Sequence, residues 1–382
     1  GGGHRASALA LQAVLAAQEW PWQVRLVNLF EVLDPRQRFR AMTGKAPEDW
    51  YNRRLARGWT IGMAQELKLL QGFIRLSHPM LVRQLQQHWL RTEPDLVVSL
   101  VPNFNRALFE SLASALPGVP YATLLTDLAD FPPHFWIERD QPQHFICGTP
   151  RAVAQARAMG HDAARVHATS GMLVRPEFYL PRSDSDRAQG LRQLGLDPAR
   201  PTGLVMFGGH GSRAMLGIAE RLSPTTQLIA ICGHNAILAE RLRQLPAGAP
   251  RPVVGFCRDV PRLMQLADFF IGKPGPGSLS EAVQMGLPVI VTDNAWTMPQ
   301  ERYNAQWVRE QHLGVVHLSF RTIERAVTEL LSNLDGFRRH VRRVNNRALF
   351  EVPHILDRIL KQADAAGASL PAERRPTPTP WG

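Results

Sequence analysis

Residues 268–304 constrain the fold of this chain more than any other stretch. Asp268-Phe269-Phe270-Ile271-Gly272-Lys273-Pro274-Gly275-Pro276-Gly277-Ser278 takes an apolar run into a Gly/Pro turn. A helix is predicted from Ser278 with Glu281 in its first turn, and a second apolar run, Pro288 to Val291, follows Gly286. That order spells a strand, a loop of phosphate size, a helix and a strand. At the helix start the backbone N–H groups of Gly275, Gly277 and Ser278 can face an anion. Ionised Glu281 can accept two hydrogen bonds from a vicinal diol such as a ribose. A nucleoside diphosphate with its sugar meets that description; taken alone, the loop also suits a ligand-free βαβ turn.

Two further glycine clusters point the same way. Gly1-Gly2-Gly3-His4-Arg5-Ala6-Ser7 leads into the Ala/Leu-rich segment from Ala8 to Leu15, which has good helix propensity. Gly208-Gly209-His210-Gly211-Ser212 follows the strand-like Gly203–Phe207, although a plain strand-to-helix turn would read similarly. Three such loops spread over two halves imply a ligand cleft between two α/β domains. There is no Gly-x-x-x-x-Gly-Lys-Ser/Thr element and no full Gly-x-Gly-x-x-Gly with a downstream acid, which argues against a P-loop ATPase or a simple dinucleotide dehydrogenase.

The length of 382 residues suits two or three domains. Because glycine loops of this kind normally follow a strand, the opening at Gly1 implies a missing first strand. Cys147, Cys232 and Cys257 are far apart and odd in number, so neither a disulfide framework nor a zinc site is indicated and a reducing compartment is the default. No run of eighteen apolar residues is present.

The formal charge of +11 is unevenly placed: residues 36–91 hold eleven Lys/Arg against three acids. Arg53, Arg54 and Arg57 lie there among Trp50, Trp59 and other aromatics. Cations mixed with interfacial aromatics suit an anionic lipid surface; nucleic acid and a merely solvated basic face are the alternatives.

Strands are predicted at Val24–Leu33, Leu96–Val101, Ala122–Leu128, His144–Gly148 and Val166–Ser170. In the second half they fall at Gly203–Phe207, Gln227–Cys232, Pro252–Phe256, Asp268–Gly272, Pro288–Thr292 and Val315–Leu318. Helical stretches between them, such as Met80–Leu90 and Arg151–Met159, argue for parallel sheets with helices on both faces. The expected division is a first domain over 1–180, a polar link over 181–202, a second domain over 203–335, helices that cross back over 336–362, and a disordered tail over 363–382.

Taken in order, Gly1-Gly2-Gly3-His4-Arg5-Ala6-Ser7, Thr126-Asp127-Leu128 with Trp136, Gly171 with Arg175-Pro176-Glu177-Phe178, Ile231-Cys232-Gly233-His234-Asn235 and Gly275-Pro276-Gly277-Ser278-Leu279-Ser280-Glu281 resemble the monogalactosyldiacylglycerol synthases. With the processive diacylglycerol glucosyltransferases and MurG, these form one group of GT-B enzymes. The resemblance runs from residue 1 to about 318. It implies an α/β fold of two Rossmann-like domains whose parallel sheets face a central cleft. It also implies a peripheral enzyme on the cytoplasmic face of a membrane that moves galactose or glucose from a UDP-sugar to diacylglycerol, with inversion and without a metal or other cofactor.

The same resemblance assigns roles. His4 would be the general base, its imidazole ordinarily near 6.5, with Asp127 as the competing base. Gly208, Gly209, Gly275, Gly277 and Ser278 would face the nucleotide and Glu281 its ribose. Gln300 and Glu301 would meet sugar hydroxyls, with Asn304 behind them. Gly3, Trp136 and the basic, aromatic residues Arg53, Arg54, Arg57, Trp50 and Trp59 would serve the acceptor and anionic lipids, with no nucleic acid expected. Met298-Pro299 replaces the Pro-Gly of relatives and Tyr303 a small residue, which leaves the donor sugar open. An N-acetylglucosaminyl transfer to an isoprenoid-linked acceptor and a non-catalytic basic lipid- or nucleic-acid-binding protein are the other readings; an epimerase fits less well, since its chemistry needs no lipid surface.

Overall fold

Two parallel sheets carry the chain. The computed structural model describes residues 2–33, 63–131, 135–180, 184–222, 224–246, 248–295 and 297–368. Trp50, Arg53, Arg54, Arg57 and Trp59 lie outside these residues.

In the first half the order of elements is α1 (Gly2–Ala17), α2 (Leu29–Leu33), α3 (Met63–Leu76), α4 (His78–Thr92), β1 (Val97–Ser99), α5 (Asn105–Ala115), β2 (Tyr121–Leu124), β3 (His144–Cys147), α6 (Pro150–Ala158) and β4 (Val166–Ala168). The four strands are parallel in the order β1-β2-β3-β4, with Ala122 opposite both Val98 and His144. Alternate strand residues face opposite sides. Ala122, Leu124 and Ile146 meet Leu11, Val14 and Leu15 of α1, while Phe145 and Cys147 meet Trp136, Ile137 and α6. Thr149 caps α6 by accepting from the Ala152 amide at 3.1 Å, and Pro150 suits the first helical position.

The predicted strand at Val24–Leu33 is not one. Its apolar run is broken by Asn28 and Glu31, Leu26 and Val27 remain exposed, and the segment ends in the short helix α2. Gly2 and Gly3 belong to the first turn of α1 and not to a loop before it.

The second half continues with α7 (Asp184–Gln193), β5 (Thr202–Met206), α8 (Ala214–Leu222), β6 (Gln227–Ile231), α9 (Ala236–Gln244), β7 (Val253–Val254), α10 (Val260–Leu266), β8 (Phe269–Ile271), α11 (Pro276–Gln284), β9 (Val289–Thr292), α12 (Arg302–Glu310), β10 (Gly314–His317), α13 (Ile323–Ser332), α14 (Leu334–Arg343) and α15 (Ala348–Ala368). Its six strands are parallel in the order β10-β9-β8-β5-β6-β7. Every residue of β5, β6 and β8 is buried, as expected for strands covered on both faces. The expected polar link contains α7, because Arg187 reaches Asp268 at 2.7 Å and Leu191 enters the core.

Helix α15 runs to Ala368, six residues into the segment read as a disordered tail, and packs back on the first half. Its Val352, Ile355, Leu356 and Ile359 share a core with α1. The crossing is pinned where the Asn346 amide donates to the Met172 carbonyl at 2.8 Å and Glu351 accepts from the Ser170 amide at 2.7 Å. Gly171 lies under Asn346, and a Cβ there would fall 2.5 Å from the amide carbon. Asn346 is buried and bonded, so it has little room to retreat. Gly171→Ala should therefore cost about 1–3 kcal/mol, the range for overpacking a filled site. Urea unfolding should show a lower midpoint; an unchanged midpoint would mean that this crossing is loosely packed.

Candidate active site

The carboxyl ends of the parallel strands face the region between the two halves, the usual place for a ligand on such sheets. Strand β2 ends at Leu124, so Thr126 and Asp127, read as part of the strand, stand in the loop beyond it. Helix α1 brings His4 to that loop, with Nδ1 2.7 Å from Thr126 Oγ1. Trp136 joins the two candidate bases: its ring meets His4 edge-on at 5.7 Å, and its indole N–H donates to Asp127 Oδ2 at 2.8 Å. Trp136 was expected on the acceptor side, but it is fully buried. It meets the site through its bond to Asp127. Gly3 is exposed beside His4, and a Cβ there would meet nothing.

Burial acts oppositely on these two groups because it disfavours whichever form is charged. It lowers His4 from 6.5 to about 4, leaving a neutral imidazole at physiological pH. Asp127 is pushed up to about 7, first by burial; the Trp136 hydrogen bond and Lys273 pull it down, while Glu301 and Asp130 raise it. The Glu301 and Lys273 charges belong to the second half, so Asp127 senses the opposite wall of the cleft.

That wall is built from the stretch that opened the sequence reading. Helix α11 begins at Pro276, two residues earlier than predicted, with Gly275 as its cap. A helix leaves its first amides without internal partners, here Gly277 and Ser278, since Pro276 has none. A Cβ at Gly277 would meet nothing within 4 Å, so the glycine answers no packing demand of the chain and keeps the approach to these amides clear. Glu281 stands one turn on, with Arg175 Nε 3.9 Å from its Oε1. Burial pushes it up to about 7, offset by Arg175 and reinforced by Glu177.

Glu301 is buried and bonds Lys273 Nζ at 2.9 Å. Asn304 is fully buried and donates to the Pro274 carbonyl at 2.7 Å, tying the Gly/Pro turn to the start of α12. Gln300 stands half-buried beside them, Nε2 3.7 Å from Met298 Sδ. The other glycine cluster forms a short turn over Gly208–His210, where Gly208 adopts φ +69°. It is clamped by the Ile231–Asn235 segment: the His234 amide donates to the Gly209 carbonyl at 2.9 Å, and a Cβ at Gly233 would fall 2.1 Å from the Gly209 oxygen. His234 stacks on the exposed ring of Phe256 at 4.1 Å.

A cleft of about 640 Å³ opens between the halves, lined by Asp130, Arg151 and Gln155 on one side and Asn294, Arg302 and Tyr303 on the other. The Arg151 guanidinium sits 5.9 Å from the centre of the Tyr303 ring across it. Among the described residues no group of three or more His, Cys, Asp or Glu is placed to hold a metal ion, and no helix is long and apolar enough to cross a membrane. The sequence reading missed Lys273, although it stands inside the Gly/Pro turn, and the link from Trp136 to Asp127.

The indole N–H stabilises the charged form of Asp127, so Trp136→Phe should raise its pKa above the wild-type value. Carboxyl-resolved NMR titration checks this; a pKa that stayed put would show that the bond does not govern the group.

Residues 204–358 match the glycosyltransferase family 28 C-terminal domain. Monogalactosyldiacylglycerol synthase of Spinacia oleracea is 27% identical over 388 residues, covering 95% of this chain and 71% of that protein. Monogalactosyldiacylglycerol synthase 1 of Arabidopsis thaliana is 27% identical, covering 86% and 62%. Among solved structures, the calicheamicin glycosyltransferase CalG4 superposes with a TM-score of 0.55 at 17% identity, covering 78% of this chain and 84% of that one. MurG of Acinetobacter baumannii gives 0.50 at 13% identity, covering 73% and 77%. With its paired parallel sheets, the chain has the GT-B fold; it is similar along nearly all its length to the monogalactosyldiacylglycerol synthases and matches the glycosyltransferase family 28 C-terminal domain over residues 204–358.

Proposed function

We propose that this protein transfers galactose or glucose from a UDP-sugar to the free hydroxyl of diacylglycerol, with inversion, at an anionic membrane surface. The observation that carries the donor is the single unit from Gly275 to Glu281. Its open helix-start amides suit a diphosphate, and its carboxylate, one turn on, suits a ribose diol. The relatives' names support the acceptor.

In the proposed reaction the acceptor oxygen attacks the anomeric carbon as UDP departs from the opposite face. The amides of Gly277 and Ser278 and the α11 dipole stabilise the leaving diphosphate in the role that a metal has elsewhere. Gln300 and Glu301 take sugar hydroxyls.

For the proton, Asp127 is the better-matched base, because general-base catalysis favours a pKa near the working pH. His4 is the second reading. It requires the tautomer in which Nδ1–H donates to Thr126, leaving the Nε2 lone pair for the acceptor. The pH profile separates them. With Asp127 as base, kcat/KM should fall as pH drops through about 7; with His4, the rate should hold until pH nears 4.

The exposed Arg151 and Arg302 in the cleft also suit a pyrophosphate, which favours an isoprenoid-linked acceptor as a second substrate class. UDP-galactose and UDP-glucose offered with vesicles of diacylglycerol or of polyprenyl-pyrophosphate-linked sugar, with analysis of the lipid product, decide between them. Glycosylated diacylglycerol is expected. A product only on the pyrophosphate acceptor, or none on either, would overturn the proposal. Glu281→Ala should weaken UDP binding by about 1.5–3 kcal/mol per charged hydrogen bond lost, tenfold or more. Calorimetry showing unchanged affinity would remove Glu281 from the site.

A further inference from the structure

The turn that carries the donor loop holds a cation to which the proposed reaction gives no task. Lys273 stands between Gly272 and Pro274 at the end of β8, its Nζ 2.9 Å from Glu301 Oε1. The Glu301 side chain is 6% exposed and that of Lys273 38%, so a buried carboxylate is matched by an ammonium with one wet side. The surroundings are shaped to hold this pair. Asn304 fastens the Pro274 carbonyl. The Glu301 amide donates to the Met298 carbonyl at 2.8 Å. A Cβ on Gly275 would come within 3.1 Å of Lys273 Cε and 3.4 Å of Glu301 Oε1, so the glycine makes room for the contact.

A buried carboxylate deprived of its partner takes up a proton or turns toward water. Either event would remove the acceptor group offered to the donor sugar. The pair also acts electrostatically on Asp127. Asp127 faces Asp130 on its own loop and the Trp136 indole beside it, and from the second half it feels Glu301 and Lys273 with opposite signs.

We infer that Lys273 is a positioning residue for hexosyl transfer: its ammonium fixes the Glu301 carboxylate toward the donor sugar and offsets the Glu301 charge felt by the base at Asp127. This rests on the donor and base assignments proposed above. A role in packing alone would leave sugar selection and proton affinity untouched.

The test compares the full chain with its Lys273→Met and Lys273→Arg variants, using UDP-galactose, UDP-glucose and diacylglycerol vesicles. Lys273→Met should lower kcat by about tenfold or more, the signature of a lost transition-state interaction, while UDP affinity stays within about twofold. It should also narrow the preference between the two donors and shift the acidic limb of kcat/KM, to higher pH where Glu301 keeps its charge and to lower pH where Glu301 takes up a proton, since Asp127 feels both groups. Lys273→Arg, which keeps the charge, should restore the limb. A Lys273→Met enzyme that keeps both the donor preference and the limb, or changes only its unfolding midpoint, would overturn the inference. A wild-type protein that transfers neither sugar would overturn the proposed function and this inference with it. A wild-type enzyme without a limb near neutrality would reject Asp127 as base, and the donor preference would then decide on Lys273.

Discussion

Carboxyl groups removed from water hold their protons more tightly, and the cleft is organised around that cost. Asp127 and Glu281 are both pushed to about 7, so each changes charge near physiological pH. Neither burial is left uncompensated: the Trp136 indole serves Asp127 and Arg175 faces Glu281. Glu301 meets the same demand with Lys273. The two halves are thereby joined electrically as well as by chain, because Asp127 responds to charges carried by the opposite sheet. Clusters of shifted groups in a cleft are typical of working sites, and here the shifts have named physical sources.

The backbone brings these groups together by simple means. Parallel strands deliver their carboxyl ends to one side, and each following loop inherits a place at the cleft. In the Gly/Pro turn after β8, Pro276 starts α11 at the position where a missing amide costs nothing, and Gly275 and Gly277 clear space around it. Asn304 then ties that loop to α12, so the diphosphate-sized turn and the predicted sugar contacts form one piece. The return of α15 onto α1 braces the helix that carries His4.

Much of this was legible in the sequence, because glycine, proline and runs of apolar residues act locally. The strand–turn–helix unit at 268–284 came out within two residues, since the Gly/Pro spacing leaves few alternatives. Val24–Leu33 misled because an apolar run signals burial without saying against what; among the described residues Leu26 and Val27 have no partner layer and stay at the surface. The lysine–glutamate pair was not legible, since 28 positions separate its members and the folded sheet, with the Asn304 tie beside it, brings them close. The Trp136 bond was not legible for a related reason: interfacial and core tryptophans look alike in sequence, and the fold turns this indole inward to Asp127. The basic, aromatic cluster around Arg53 and Trp59 lies outside the described residues.

The central claim is a single displacement at the anomeric carbon, driven from one wall of the cleft while UDP leaves along the other. Its most direct test is the stereochemistry of the product made from an α-linked UDP-hexose and diacylglycerol, read by proton NMR of the purified glycolipid. The account predicts a β-glycosidic linkage. An α-linked product would contradict it, because retention requires two displacements or a front-face path in place of a single inverting displacement.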